Sequence, residues 1–552
     1  MAHAFYEEHR DTLDEAVDAI AERSYWSPYP ESPRAFGEQA PSEGEAAFLA
    51  RLNSPFELMQ PFDDYVEVAE SSPYGTDLGV SYPASDSGRL LAAADNSAAE
   101  WSGLSPRSRA AICIEILDRL SARSFEMAYA VMHTTGQPFL MAFQAGGPHA
   151  LDRGLEAVAY GYAEMNRIPR TQRWVKPQGK RDPLVLDKRW RIKPRGVAVA
   201  IGVSTFPTWN GYPGIFASLV TGNPVIVKPH PMTILPLALF VETAQRVISD
   251  AGLSPHVVTL AVDTPENPIA QQLVMDPRVG IVDYTGGSVF GDWLETNARH
   301  AEVYTEKSGV NSVIIDSADD LKGIYRNLSV SMSMYSGQMC TTPQNVYVPA
   351  DGIDVAGERV SFTDIASGLA GAVQSLLADD DRAADILGAI KNPESLERID
   401  AATADGEVLL EPRTVVHPSF PEARLRTPTV LIVDSTDKDS FMQELFGPII
   451  VIVATRDTEE SLKLATESAL AHGAITWLAY TTSEAVMDRA EDAAVDAGVS
   501  LAFNLTGGLF VNQSAAFSDF HVTGANPAGN ASLSDPAFVA KRFRIVGIRT
   551  PA

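Results

Sequence analysis

The strongest signal along the chain is a change of hydrophobic period near residue 195. From about 90 to 165, apolar residues recur at three and four, as in "SRAAICIEILDRLSARSFEMAYAVM", which predicts amphipathic helices. Beyond 195 the text becomes short apolar runs set between turns. "GVAVAIGVS", "TGNPVIVKP", "VVTLAV" and "VGIVDY" read as strands, and "LPLALFVETAQRVISDAG" reads as an amphipathic helix. Such alternation predicts parallel strands joined by helical crossovers, the doubly wound α/β arrangement that binds nucleotides at its strand ends. A second α/β run begins near 306 and continues through "PIIVIVATRDTEESLKLATESALAHGAITWLAYTT", so two nucleotide-fold-like halves are expected. Residues 1 to 90 are mixed. A helical start, "DTLDEAVDAIAERS", gives way to a stretch rich in Pro, Ser and Gly, which reads as an extension wrapped on the main body.

Composition narrows the class. A chain of 552 residues exceeds a single hydrophobic core and suggests two or three domains, and 45% hydrophobic with 8% aromatic residues is a globular composition. No apolar run reaches the length of a membrane span, and the N-terminus "MAHAFYEEHRDTLDEAV" is polar and acidic, unlike a secretory signal. The expectation is a soluble, cytoplasmic protein with no membrane partner. Two remote cysteines, with no CxxC spacing, fit neither a disulfide framework nor a metal cluster. A net charge of -28 argues against nucleic acid as a partner. The exception is "RTQRWVKPQGKRDPLVLDKRWRIKPRG", basic from Arg170 to Arg195. It reads either as solvated charge on exposed strands or a subunit-contact arm, or as an anion site for a phosphate-bearing substrate.

Two features carry candidate chemistry. Cys113 lies in the apolar helical text "AAICIEILDRL" and reads as a core thiol, whereas Cys340 lies in the polar turn "YSGQMCTTPQN". A cysteine nucleophile needs its thiolate, favoured by positive charge, backbone dipoles and partial exposure; a buried thiol in a tight turn is the alternative. In "VGIVDYTGGSVFGDWLETNA", Gly286, Gly287 and Gly291 stand between a strand and a helix start, where bare amides can receive a phosphate or where glycine serves tight geometry.

At "YSGQMCTTPQN" the sequence resembles the NAD(P)-dependent aldehyde dehydrogenase superfamily, whose nucleophile lies in a G-Q-x-C segment. The resemblance runs in order from about 90 to about 530 through "GVSTFPTWNGYPG", "TGNPVIVKPHP", "VDYTGGSVFG", "YTEKSGVNSVIID" and "MQELFGPIIVI". It implies an aldehyde dehydrogenase-like fold, with a Rossmann-type cofactor domain, an α/β catalytic domain and an oligomerisation arm. The division expected is an extension over 1–90, a nucleotide-binding domain over 91–305 with the arm near 165–195, a catalytic domain over 306–500, and a segment over 501–552 that returns to the cofactor domain or an oligomer contact. A homo-oligomer is implied.

The resemblance also implies roles. Cys340 would add to an aldehyde carbonyl, and Asn210 with the Cys340 amide would donate to the developing oxyanion. Glu306 would activate the water that hydrolyses the thioester, a task suited to a carboxylate whose pKa burial raises. Relatives that pass the acyl group to coenzyme A commonly lack this glutamate, so its presence implies release of a free acid. Trp209 lies in the segment with Asn210 and is counted with the cofactor contacts. Lys228 would hold the adenosine ribose or its phosphate, Gly286 and Gly287 would admit the pyrophosphate, and Glu444 and Phe446 would fix the nicotinamide ribose and ring. Pro231 stands where NAD-preferring relatives carry a ribose-binding glutamate, which tilts the expectation to NADP over NAD. Lys307 and Ser308 depart from the E-L-G-G-K pattern, and "FHVTGANPAGN" replaces a P-F-G-G segment at the substrate entrance.

The extension, with "STFPTWNGYPG" and "SGQMCTTPQN", is most similar to phenylacetic acid degradation proteins of the PaaN type. That implies oxidation of a ring-cleavage semialdehyde carried on coenzyme A, 3-oxo-5,6-dehydrosuberyl-CoA semialdehyde, with the basic stretch available for coenzyme A phosphates. Fused relatives append a hydratase-like domain; here ring opening is expected of a separate hydratase. Two rivals stay open: a thiol hydrolase pairing Cys340 with His417, His472 or His521, and a catalytically silent scaffold.

Overall fold

The computed structural model describes residues 2–552 apart from Ser308, Asp405, Gln513, Ser514 and Asp519. The helical text forms α1 (Ala2–Glu22), α2 (Ala40–Leu49), α3 (Ser87–Gly103), α4 (Pro106–Ser121), α5 (Ser124–Thr135), α6 (Phe139–Gly146) and α7 (Pro148–Asn166). Local chemistry sets their starts. Asp86 accepts from the Gly88 and Arg89 amides at the head of α3, and Ser105 accepts from the Ser108 amide ahead of Pro106 at the head of α4. Cys113 is fully buried on α4, as a core thiol should be.

The extension wraps the body, with α1 packed on α4 and α7. It is also wired in by charge. Arg51 grips Glu242 through both terminal nitrogens at 3.1 and 3.0 Å, and Glu70 accepts from the Ile234 amide and from the Leu235 amide at 2.9 Å.

After a two-stranded ribbon of β1 (Asp64–Glu67) and β2 (Ser81–Ala84), the basic stretch forms β3 (Thr171–Gln178) and β4 (Arg181–Pro194). The C-terminal strand Phe543–Pro551 pairs antiparallel with β4, completing a three-stranded sheet whose β3 is exposed throughout. The basic stretch therefore forms an exposed strand pair on this chain. None of its residues lines the cavity that reaches Cys340.

The first α/β sheet contains β5 (Val197–Ile201), β6 (Val225–Lys228), β7 (Val258–Leu260), β8 (Val279–Thr285) and β9 (Glu302–Glu306), all parallel in the order β7-β6-β5-β8-β9. Every residue of β5 is buried, which is why its sequence shows no alternation. Between strands lie α8 (Pro207–Val220), α9 (Leu235–Asp250), α10 (Ala270–Val274) and α11 (Ser288–Asn297).

The second sheet has seven strands: Glu407–Leu410, Thr429–Asp434, Ile449–Thr455, Pro343–Pro349, Asn311–Ile315, Thr476–Tyr480 and Ser500–Phe503, in that order. All run parallel except the edge strand Glu407–Leu410. The C-terminal segment is locked to the first sheet by Arg542. Its guanidinium is fully buried, bonds Asp283 at 2.7 and 2.6 Å, and lies 4.3 Å from the Tyr304 ring centroid. Among the described residues no helix is long and apolar enough to cross a membrane.

Candidate active site

Cys340 is presented by a backbone under constraint. Tyr335, Ser336 and Gly337 take φ values of 53°, 49° and 66° in succession, a left-handed run that two non-glycine residues adopt only when their surroundings impose it. Tyr335 donates to the Thr135 carbonyl at 2.6 Å and Ser336 to the Leu387 carbonyl at 3.1 Å. Gly337 has a second requirement, because a Cβ there would lie 2.3 Å from the Gly447 carbonyl oxygen. The turn before Cys340 and the "ELFGP" segment thus meet at a point where no side chain fits.

The polar residues around the cysteine hold this turn. Gln338 accepts from the Lys391 amide at 2.8 Å, and Gln344 accepts from the Leu445 amide at 2.6 Å while donating to the Gln443 carbonyl at 3.1 Å. Asn311 donates to the carbonyls of Cys340 at 2.7 Å and Thr342 at 3.1 Å, and its oxygen accepts from the Ile475 and Thr476 amides. Asn311 is a positioning residue that sequence reading passed over, although it lay inside the quoted segment "YTEKSGVNSVIID".

Glu306 ends β9, and its Oε1 accepts from Asn210 Nδ2 on α8 and pairs with His521 Nε2, both at 2.9 Å. One ligand-type atom from each of Glu306, Cys340 and His521 lies within 4.8 Å of the others. Of the three histidines considered as partners for Cys340, only His521 lines the cavity that reaches it. His417 instead packs on Tyr74 and Phe420, and His472 closes the helix Thr458–His472.

Electrostatics bear on the sequence expectation at two groups. Burial pushes Glu306 upward, but His521, Arg153 and the Asn210 amide together outweigh it and hold the carboxyl below its usual range. A raised Glu306 is therefore incorrect. Burial pushes the Cys340 thiol well above its ordinary value, with Glu306 and Glu444 adding to the rise and Arg153 and the Cys340 amide opposing it. These surroundings favour the thiol form of the resting cysteine, the second of the two readings of this turn. The Asn210 amide is engaged by Glu306 at rest, so donation to an oxyanion requires that bond to open.

Arg153 is a group that sequence reading missed. It is the one cation in the apolar helical text "ALDRGLEAVAY", and its guanidinium carbon lies 3.6 Å from the Trp209 ring centroid. His521 meets the same indole edge to face at 4.7 Å. Trp209 thus organises the charged groups beside Cys340.

A channel of about 390 Å³ leads to Cys340 between Leu140, Met141, Phe206, Trp209, Met334, Met339, Ile386, Phe510, Val511 and Phe520. Glu31 and His149, 3.3 Å apart, lie in its wall, so the N-terminal extension contributes to the channel. A second compartment of about 80 Å³ is more polar than the channel, and its lining includes Arg153, Glu156, Asn210, Asp283, Glu306 and His521 beside apolar residues such as Leu533 and Phe538.

The residues expected at a dinucleotide divide into two groups. At the first sheet, α11 starts from Gly287, whose φ of -66° and ψ of 150° are extended. A Cβ on Gly287 would meet nothing within 4 Å, whereas one on Gly286 would lie 2.4 Å from the Tyr284 hydroxyl. Gly286 therefore serves tight geometry, while Gly287 leaves open space at the head of α11. Lys228, at the end of β6, donates to Asp263 at 2.6 Å and to the Pro229 carbonyl at 3.0 Å. Near Cys340, Glu444 and Phe446 lie half-buried on the loop before Ile449–Thr455, and Arg398 fixes the Phe446 carbonyl at 2.6 Å. Lys307 pairs with Asp292 at 2.8 Å, while Ser308 lies outside the described residues.

Comparison with known proteins agrees with this arrangement. Residues 78–504 match the model of the aldehyde dehydrogenase family. The chain is 26% identical over 437 residues to an N-succinylglutamate 5-semialdehyde dehydrogenase of Burkholderia multivorans, covering 75% of this chain and 82% of that one. It is 24% identical over 398 residues to a 1-pyrroline-5-carboxylate dehydrogenase of Halalkalibacterium halodurans, covering 70% and 73%. The crystal structure of an NAD-dependent aldehyde dehydrogenase from Burkholderia multivorans superposes over the full length of both chains with a TM-score of 0.98 and 53% identity. The chain belongs to the aldehyde dehydrogenase family and is an NAD(P)-dependent aldehyde dehydrogenase.

Proposed function

We propose that the chain converts an aldehyde to a free carboxylic acid through a thioester on Cys340, and that the aldehyde is the CoA-linked ring-cleavage semialdehyde of phenylacetate degradation. The observation that carries the reaction is the convergence of Cys340, Glu306 and His521 within 4.8 Å at the end of the channel. The Cys340 sulfur adds to the carbonyl carbon, and the thiol proton passes to the Glu306–His521 pair. Asn210 and the Cys340 amide receive the oxyanion once Glu306 releases the Asn210 amide. The bound nicotinamide supplies the hydride acceptor. Glu306 and His521 then stand beside the acylated sulfur, where water can be activated to release the acid.

The channel supports an extended, largely apolar aldehyde chain, and the PaaN-type resemblance supports its identity. The test compares initial rates on the CoA-linked semialdehyde with those on free aliphatic and aromatic aldehydes, with products identified by mass spectrometry. A preference of about tenfold or more in kcat/KM for the CoA-linked substrate is expected. Preference for a simple free aldehyde overturns the substrate, and release of a product other than the acid overturns the hydrolytic route.

For the cofactor, Lys228 and Asp263 support NAD. A ribose-binding carboxylate ordinarily ends the second strand of such a sheet. Here β6 ends in Lys228, and the carboxylate arrives from beyond β7 as Asp263, only 3% exposed. It neutralises the lysine that would otherwise attract a 2'-phosphate, which offsets the loss of the glutamate at Pro231. The 53% identical relative is likewise an NAD-dependent enzyme. Asp263→Asn is expected to shift the ratio of NADP to NAD dissociation constants about tenfold toward NADP, read by quenching of tryptophan fluorescence. An unchanged ratio removes Asp263 from cofactor choice.

A further inference from the structure

His521 lies in "FHVTGANPAGN", the segment that departs from the family pattern, and the fold sets it with care. Gly529 bridges to Glu306 at the edge of β9, and Asn530 accepts from the Thr305 amide at 2.9 Å. Asn526 donates to the carbonyls of Ala474 at 2.8 Å and Gly498 at 2.7 Å, and the His521 carbonyl accepts from Ser500 at 3.0 Å. The imidazole is then fixed edge to face on Trp209, with Nε2 on Glu306.

His521 also holds a distinctive position between the two cavities. Cys340 lines the apolar channel, Glu306 lines the polar compartment, and Phe520 and His521 are the residues shared by both walls. The channel brings the acyl chain to the sulfur, and the polar compartment has room for water. His521 stands where one meets the other.

We propose that His521 is a catalytic residue of deacylation: oriented by Glu306, its imidazole takes the proton of the water that attacks the Cys340 thioester. This rests on the hydrolytic reading above. In the neutral tautomer that donates from Nε2 to Glu306, Nδ1 offers a lone pair to the incoming proton. The water O–H bond breaks with its proton passing to Nδ1, and the oxygen bonds to the thioester carbon. The C–S bond then breaks, leaving Cys340 as the thiolate and the product as a carboxylic acid. The imidazolium proton returns to the thiolate and restores the resting thiol, the acid proton is lost to solvent, and no oxidant is consumed. Glu306 acts through the histidine here, in the way that a buried carboxylate orients the imidazole of a hydrolase triad.

The experiment follows nicotinamide reduction and intact-protein mass after rapid mixing of enzyme, NAD and aldehyde, for wild type, Glu306→Gln, His521→Ala and His521→Gln. The glutamine side chain of His521→Gln would keep an amide donor toward Glu306 and much of the packing but could not accept a proton. Both His521 variants are expected to give a burst of about one reduced cofactor per site, an acyl adduct on Cys340, and steady turnover slowed about 10²- to 10⁴-fold. Added imidazole is expected to restore turnover to His521→Ala, where space has opened, and not to His521→Gln. A purely structural role would not give that split. Turnover of His521→Gln at the wild-type rate without an adduct overturns the proposal, while an adduct in Glu306→Gln alone leaves the hydrolytic route standing without His521. Absence of acid product from wild type overturns both.

Discussion

Cys340→Ser is expected to lower the rate of nicotinamide reduction on the order of 10⁵-fold while leaving fold and cofactor affinity unchanged. The hydroxyl is a weak nucleophile at any pH the protein tolerates, and the site supplies little to strengthen it. Even the native thiol is pushed upward by burial, Glu306 and Glu444, with only Arg153 and the Cys340 amide acting against them. A serine in that environment stays protonated. The turn itself should persist, because its hold comes from Asn311, Gln338, Gln344 and the Gly337 contact rather than from the sulfur. The measurement is steady-state reduction of NAD with the preferred aldehyde, alongside cofactor titration by fluorescence. Rates equal to wild type would remove Cys340 from the reaction, and lost cofactor binding would reassign the effect to folding.

Glu306→Gln is the second large effect, and it should separate the two halves of the reaction. The first turnover needs Cys340 and the hydride acceptor, so a burst of about one reduced cofactor per site is expected, followed by turnover slowed about 10²- to 10⁴-fold. Intact-protein mass should show the acyl group held on Cys340. The substitution removes the charge that orients His521 and leaves an amide facing the Asn210 amide across 2.9 Å. Because the native carboxyl is held below its usual range, it stays ionised as pH falls through ordinary carboxylate values. Its contribution to stability and to orienting His521 is present above that range and is lost only under more acidic conditions. Wild-type steady turnover by Glu306→Gln would show that Glu306 takes no part in deacylation, either directly or through His521.

The sequence by itself determined the parts whose information is local. The change from a helical to a strand period located the α/β body. The small apolar run that becomes β5 could be read because a strand buried on both faces needs apolar residues at every position. "YSGQMCTTPQN" marked its own cysteine, since buried glutamine and asparagine are costly unless bonded, and such residues cluster where a turn must be held. The tertiary structure decided everything that depended on neighbours distant in the chain. The pKa directions of Glu306 and Cys340 are sums of burial and of the fields of Arg153, His521, Asn210 and Glu444, contributed by four separate segments. Lys228 meets Asp263 across 35 positions, and Glu306 meets His521 across 215. A carboxylate's charge state follows from the distance to its partners through space, which spacing along the chain does not encode, and so the residues were legible before their chemistry was.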